Sequence, residues 1–127
     1  MDRLRVTKTT VLVVEDEIFI AMDLQATLED AGYSVLGPVP SIDEALDLLK
    51  NSRPDVAVLN YSLRGETIVP VAERLHELSV PMLLASGDFP KDAPLADVCE
   101  ALANAQSLGK PLDSHTLLAA LDRLKAA

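Results

Sequence analysis

The sequence predicts an α/β fold, with a parallel sheet of five strands covered by helices on both faces. Short apolar runs rich in Val, Leu and Ala alternate along the chain with segments whose apolar residues recur at helical spacing. The first run, Val-Leu-Val-Val at 11–14, contains no polar residue, as expected of a strand that is buried on both faces. Such alternation indicates a doubly wound sheet, for which strand order 2-1-3-4-5 is expected at this size.

A helix and a second strand are expected after that first strand. Gly32 is expected to end the helix, because glycine readily adopts the left-handed conformation found just past helix C-termini. The second strand is expected at 33–36, where Gly37-Pro38 would close it. The inner face of the helix carries apolar residues at helical spacing: Ala21, Leu24, Leu28 and Ala31.

The second helix has a clear start signal. Ser41 and Glu44 have the spacing of a capping box, which satisfies N–H groups of the first helical turn. The segment 51–54 ends in a proline and is expected to break the helix before a third strand at 55–59. The apolar face of this helix is formed by Ile42, Ala45, Leu46 and Leu49.

The third helix is expected to begin near Glu66. Pro70 would then lie in its first turn, where the missing N–H costs little. Pro81 introduces a fourth strand at 82–85. The inner face of the third helix is predicted to consist of Ile68, Ala72, Leu75 and Leu78.

The C-terminal part of the chain is expected to complete the sheet. The segment 91–103 is helix-prone, residues 105–108 form a fifth strand, and Asp113 caps a last helix. The inward residues of that helix are Leu117, Ala120, Leu121 and Leu124. We expect one domain over residues 10–127, preceded by a flexible N-terminal segment at 1–9.

Composition and charge restrict the partners. The 127 residues carry a formal net charge of −9, which argues against nucleic acid or an anionic membrane and favours basic partners or divalent cations. No apolar run approaches the ~18 residues of a membrane helix. Acidic residues at 15–17 interrupt the first run too early for a signal peptide. With neither segment indicated, a soluble cytoplasmic protein is expected. The single Cys99 cannot form an internal disulfide and is interpreted as a small buried apolar residue.

Polar residues stand at the carboxyl ends of the predicted strands, where functional groups of parallel sheets gather. Paired carboxylates can hold a hard cation such as Mg²⁺, while a hydroxyl and a lysine can hold phosphoryl oxygens. A carboxylate at position 60 would be a phosphoryl acceptor, but an amide cannot form an acyl phosphate. The residues are Glu15 and Asp16 after the first strand, Asn60 after the third, Ser86 after the fourth and Lys110 after the fifth.

Four short motifs contain these residues. They are Val-Leu-Val-Val-Glu-Asp-Glu at 11–17, Leu-Asn-Tyr-Ser-Leu-Arg-Gly-Glu at 59–66, Ala-Ser-Gly-Asp at 85–88 and Gly-Lys-Pro at 109–111. Together they resemble a response-regulator receiver domain, over nearly the whole chain. The resemblance implies the CheY-like, flavodoxin-like (βα)5 fold. The loop ending in Leu-Arg-Gly-Glu further resembles a proteobacterial subgroup that often consists of stand-alone receivers.

The resemblance also implies roles for the polar residues. Ser86 would be the hydroxyl switch, and Lys110 would contact the phosphoryl group, with the bond to Pro111 in the cis form. The Mg²⁺ ligands would come from Glu15, Asp16, Asn60 and the backbone carbonyl of Ser62.

Two positions depart from the family pattern. Asn60 replaces the acceptor aspartate, so no phosphorylation is expected there, and the lost charge should weaken Mg²⁺ binding. Ser107 stands where an aromatic switch residue is common, which alters the usual coupling between the hydroxyl and an aromatic ring.

The function implied by the resemblance is that of a single-domain response regulator in a two-component phosphorelay, with no enzyme activity of its own. It would act through protein contacts on the surface formed by the fourth helix, fifth strand and fifth helix. The expected partners are a histidine kinase or a histidine phosphotransfer protein, followed by a downstream regulator. A monomer or weak dimer is expected.

Other interpretations stay open on the sequence alone. A phosphorylation-independent adaptor would keep a vestigial pocket, whereas an α/β hydrolase-like enzyme would need a nucleophile–base pair that the sequence does not show. Asn60 is either a substitution that blocks phosphorylation deliberately or the residue of a naturally degenerate receiver. His76 and His115 are interpreted as surface residues of helices.

Overall fold

The computed structural model describes residues 9–60, 62–63, 65–85, 106–108 and 114–126. The strands are β1 (Thr10–Val14), β2 (Ser34–Val39), β3 (Val56–Leu59), β4 (Ser62–Leu63), β5 (Glu66–Thr67), β6 (Met82–Ala85) and β7 (Gln106–Leu108). The helices are α1 (Ile18–Asp30), α2 (Ile42–Asn51), α3 (Val69–Glu77) and α4 (Ser114–Ala126). Helices separate β1, β2 and β3 along the chain, as the sequence predicts, but two short strands stand between β3 and the third helix.

The main sheet has five parallel strands in the order β2-β1-β3-β6-β7. Strands β4 and β5 pair only with each other, in a small antiparallel hairpin. Strands β6 and β7 are the predicted fourth and fifth strands, so the order of the main sheet is the predicted 2-1-3-4-5. The doubly wound α/β fold is therefore confirmed.

The core lies on both faces of the sheet, because successive side chains of a strand point to opposite faces. Leu12 and Val14 of β1 pack in one cluster with α2 and α3. Val11 and Val13 pack in a second cluster with α1 and α4. All four side chains are buried, which explains why the first apolar run contains no polar residue.

Strand β2 is longer than predicted. It continues through Gly37-Pro38 to Val39, because the register with β1 shifts by one residue between Leu12 and Val14. Gly37 has φ +96°, and a Cβ there would lie 2.9 Å from the Val39 nitrogen and 3.0 Å from the Val13 oxygen. The prediction that Gly37-Pro38 closes the strand is wrong, since a bulged edge strand can accommodate both residues.

Helix α3 begins three residues later than predicted. Glu66–Thr67 pairs with Ser62–Leu63 instead, across a turn in which Gly65 has φ +85°. The expected start near Glu66 is therefore wrong. Pro70 does lie in the first turn of α3, as predicted.

The sequence predicts that Ala31 and Leu78 face inward. The structure places them at the ends of helices instead. Ala31 is the exposed C-cap of α1, and Leu78 is the half-buried C-cap of α3. Gly32 follows Ala31 with φ +96°, which confirms that glycine ends α1. The predicted start of α2 is also confirmed, because the Ser41 hydroxyl accepts the Glu44 N–H at 3.2 Å.

Several predictions fall outside the described residues. These are the flexible segment up to residue 8, the helix at 91–103, the cap at Asp113 and the bond before Pro111. The inward position of Leu124 also stays a prediction, since only the backbone is described there. Within the described part of the chain, no helix has the length and apolar character needed to cross a membrane.

Candidate functional site

The carboxyl ends of β1 and β3 lie side by side. Val14 and Leu59, the last residues of the two strands, are paired in register. The backbone N–H of Asn60 continues this pairing by donating to the Val14 carbonyl at 3.0 Å. The residues that follow β1 and β3 are therefore brought together, as the sequence predicts for parallel strands.

The Asn60 side chain contacts both residues of the acidic pair. Its nitrogen Nδ2 lies 3.1 Å from Glu15 Oε2 and 3.2 Å from Asp16 Oδ1. Asn60 is 5% exposed and Glu15 is 3% exposed, and these are the two buried polar residues of the described chain. Because an ionised carboxylate only accepts hydrogen bonds and an amide nitrogen offers two donors, Nδ2 can donate to both carboxylates at once.

The Glu15 carboxylate is held by several elements at once. The backbone N–H of Glu15 donates to the Val39 carbonyl at 3.0 Å, which attaches it to the bulged end of β2. Its Oε2 atom also accepts the backbone N–H of Glu17, the N-cap residue of α1, at 3.1 Å. The Glu15 backbone is thus held by β2, and its carboxylate by Asn60 and the start of α1.

The other end of the Asn60 amide is different. Oδ1 is buried and has no hydrogen-bond partner among the described residues. A buried acceptor without a partner is rare and often marks a place where an ion or water binds. Carboxylate, amide and carbonyl oxygens are the ligands that Mg²⁺ prefers, and one or two carboxylates are usual for it. The donor set therefore fits a hard divalent cation, provided that the amide presents its oxygen.

Glu15, Asp16 and Asn60 are the predicted site residues that the structure brings together. Ser86 and Lys110 lie outside the described residues, and of Ser62 only the backbone in β4 is described. Among the described residues, no three His, Cys, Asp or Glu side chains gather as a metal site. His76 and His115 are exposed on α3 and α4, which confirms their interpretation as surface residues.

A group of exposed apolar side chains was missed by the sequence analysis. Ile18 is 66% exposed, Phe19 is 83% exposed and Met22 is 58% exposed, all in the first turns of α1. The signal was present in the sequence, because these residues lie off the row that begins with Ala21 and Leu24. We call Ile18, Phe19 and Met22 the α1 patch.

Comparison with known proteins decides the family. A family model described as the response regulator receiver domain matches residues 11–122. The chain belongs to the response regulator receiver family. A CheY-like receiver domain protein from Methanospirillum hungatei has the same fold, with a TM-score of 0.82 and 21% identity over 94% of this chain and 96% of that chain. The family is one of two-component signalling proteins and not a class of enzymes.

Two relatives show how far the likeness extends. A protein-glutamate methylesterase/protein-glutamine glutaminase of Halobacterium salinarum is 28% identical over 129 residues, or 94% of this chain and 37% of that protein. The transcriptional regulatory protein PdtaR of Mycobacterium tuberculosis is 26% identical over 113 residues, or 88% of this chain and 54% of that protein. Because this receiver spans 37% and 54% of these relatives, their whole-protein activities do not transfer to it.

Proposed function

We propose that residues 10–127 form a receiver domain that acts by protein contact in a two-component phosphorelay and cannot take up a phosphoryl group at Asn60. The observation that carries the proposal is the position of Asn60. It is buried at the carboxyl end of β3, beside β1, and its amide contacts both carboxylates of the acidic pair.

The chemistry of the amide explains the block. Transfer to a receiver needs a carboxylate oxygen that attacks phosphorus and becomes the bridging oxygen of an aspartyl phosphate, while the P–N bond of a phosphohistidine or the P–O bond of acetyl phosphate breaks and releases imidazole or acetate. The Asn60 amide is neutral, and its nitrogen is occupied as a donor to Glu15 and Asp16. The neighbouring carboxylates remain, but the nucleophile is absent.

The metal ligands follow from the same geometry. Glu15, Asp16, the Asn60 oxygen and the Ser62 carbonyl would hold Mg²⁺, whose chemical contribution is to neutralise charge on phosphoryl oxygens. An aspartate at position 60 would give this site a third carboxylate, which the present chain lacks. Ser86 and Lys110 would contact the phosphoryl oxygens in a restored acceptor.

The α1 patch supports action through a protein contact. Contiguous exposed apolar side chains are unusual on a protein surface and mark interaction sites. The patch begins at Ile18, three positions after Glu15, so a bound protein would lie beside the pocket. We propose that a histidine kinase or histidine phosphotransfer protein docks there. A downstream regulator would use the surface formed by the helix predicted at 91–103, strand β7 and helix α4. These roles place the chain in the cytoplasm, as a monomer or weak dimer.

Intact-mass analysis tests the block directly. The full chain and the Asn60→Asp variant are incubated with Mg²⁺ and acetyl phosphate. We expect one phosphoryl adduct on Asn60→Asp and none on the parent chain, because only the variant has a nucleophilic carboxylate at position 60. An adduct of the parent chain that maps to Asn60 would contradict the proposal.

The amide network favours a second candidate, a phosphorylation-independent adaptor. Asn60 contacts both acidic residues, so these three side chains are joined without a phosphoryl group. The Asn60→Asp variant separates the two candidates. If it takes up neither a phosphoryl group nor beryllofluoride, and partner binding is unchanged, the adaptor function is correct.

A further inference from the structure

The Asn60 amide occupies the place between two neighbouring carboxylates. One nitrogen, with two N–H donors, lies within 3.1 Å of Glu15 Oε2 and 3.2 Å of Asp16 Oδ1. Two adjacent carboxylates repel each other, and a cation that bridges them is the usual means of offsetting this repulsion. Here the positive end of an amide dipole lies against both of them.

The orientation of the amide follows from charge. If the amide were turned around, Oδ1 would face two anionic oxygens, and the two N–H donors would lose their acceptors. In the observed orientation Oδ1 has no hydrogen-bond partner among the described residues, which is itself a cost. Within that part of the chain both donors are used and the acceptor is not, so the contacts with Glu15 and Asp16 outweigh that cost.

We propose that the Asn60 amide takes the place of a cation: its nitrogen holds Glu15 and Asp16 together without metal, and its oxygen would have to turn toward them before the three side chains could hold Mg²⁺. The metal therefore competes with a contact that is already made. Glu15, Asp16 and Asn60 are therefore held together in the absence of Mg²⁺, and they bind Mg²⁺ weakly. This contact is a property of the cation-free site, separate from the proposed function, and is the same whichever protein the chain binds.

Side-chain amide NMR observes the bridge directly. The full chain is labelled with ¹⁵N and studied in EDTA, and the Asn60 NH₂ pair is assigned by its absence in Asn60→Asp. Asn51, which is exposed at the end of α2, serves as the internal reference. We expect the Asn60 NH₂ protons to exchange with water at least about tenfold more slowly than those of Asn51, because hydrogen bonding in a buried site protects amides. Equal exchange rates would overturn the proposal.

Mg²⁺ titration tests the competition. We expect Asn60→Asp to bind Mg²⁺ about tenfold or more tightly than the parent chain, since a unit charge replaces an amide that must also be turned. In the parent chain, saturating Mg²⁺ should abolish the slow exchange of the Asn60 NH₂ pair. The exposed Asp30→Asn substitution, at the far end of α1, controls for net charge and should leave Mg²⁺ affinity unchanged. Equal affinities of the parent chain and Asn60→Asp contradict the proposal.

Denaturant unfolding in EDTA separates a bridge from simple packing. Asn60→Ala removes the amide, so we expect a lower midpoint and a larger gain on adding Mg²⁺ than in the parent chain. The same substitution in an Asp16→Ala background should lower the midpoint by less, because half of the bridge is already gone. An equal loss in both backgrounds would mean that Asn60 only fills space, and the proposal would be wrong.

Discussion

The backbone N–H of Glu15 donates to the carbonyl of Val39 at 3.0 Å, which links the acidic pair to the edge strand β2. Val39 is in place to accept this bond because β2 contains one extra residue opposite Leu12 and Val14. The bulge at Gly37-Pro38, where the sequence predicts the end of the strand, therefore helps to support the candidate site. Strand β2 positions a residue of a site that it does not itself line.

Substitution of Gly37 should weaken this support. Gly37→Ala places a Cβ 2.9 Å from the Val39 nitrogen at a position with φ +96°. We expect the free energy of unfolding to fall by about 2–4 kcal/mol, since backbone strain and a backbone clash both contribute. Gly32→Ala is the matched control, because Gly32 has the same φ with nothing within 4 Å, and should cost about 1 kcal/mol. Equal losses in urea unfolding would contradict this account of β2.

Much of the fold is readable from the sequence, for reasons that particular residues show. The unbroken run at 11–14 predicts a central strand because only a strand covered on both faces excludes polar residues. The row Ala21, Leu24 and Leu28 predicts the buried face of α1 because it follows helical spacing. The proximity of Asn60 to the acidic pair follows from parallel strands that end at one edge of the sheet.

The parts that were missed depend on information that the pattern of residue types does not contain. Gly37-Pro38 is compatible with a turn or with a bulged edge strand, and only the pairing with β1 decides between them. The hairpin of Ser62–Leu63 and Glu66–Thr67 is too short to show any periodicity. The orientation of the Asn60 amide is set by its contacts with Glu15 and Asp16. The residue type alone does not give that orientation.

The cap of α2 should make a measurable contribution to stability. Ser41→Ala removes the hydroxyl that accepts the Glu44 N–H at 3.2 Å and donates to the Glu44 carboxylate at 3.1 Å. We expect a loss of about 1 kcal/mol in the free energy of unfolding. Ser52→Ala, at the other end of the same helix, is the control and should change it by less than about 0.5 kcal/mol, because Ser52 is exposed and caps through its backbone. Thermal and urea denaturation both measure the difference.

The α1 patch should contribute to docking and not to folding. Phe19→Ala should change the free energy of unfolding by less than about 0.5 kcal/mol, since the ring is exposed. Leu24→Ala, in the buried row of the same helix, should cost about 2–5 kcal/mol. In an Asn60→Asp background, Phe19→Ala should slow transfer from a phosphorylated histidine protein while leaving labelling by acetyl phosphate unchanged. Slowing of both reactions to the same degree would show that Phe19 acts on the pocket itself.

Glu15 should be needed for any restored acceptor chemistry. In the Asn60→Asp background, Glu15→Gln keeps an oxygen that can accept the Glu17 N–H but removes a buried charge from the proposed Mg²⁺ ligands. We expect labelling by acetyl phosphate to slow by about 10–100-fold, because even residues that only orient metal ligands have effects of this size. Glu17→Gln is the matched control, since Glu17 is exposed and bonds to Glu15 through its backbone. It should label at the rate of Asn60→Asp alone, and equal slowing by both substitutions would assign the effect to overall charge instead of to Glu15.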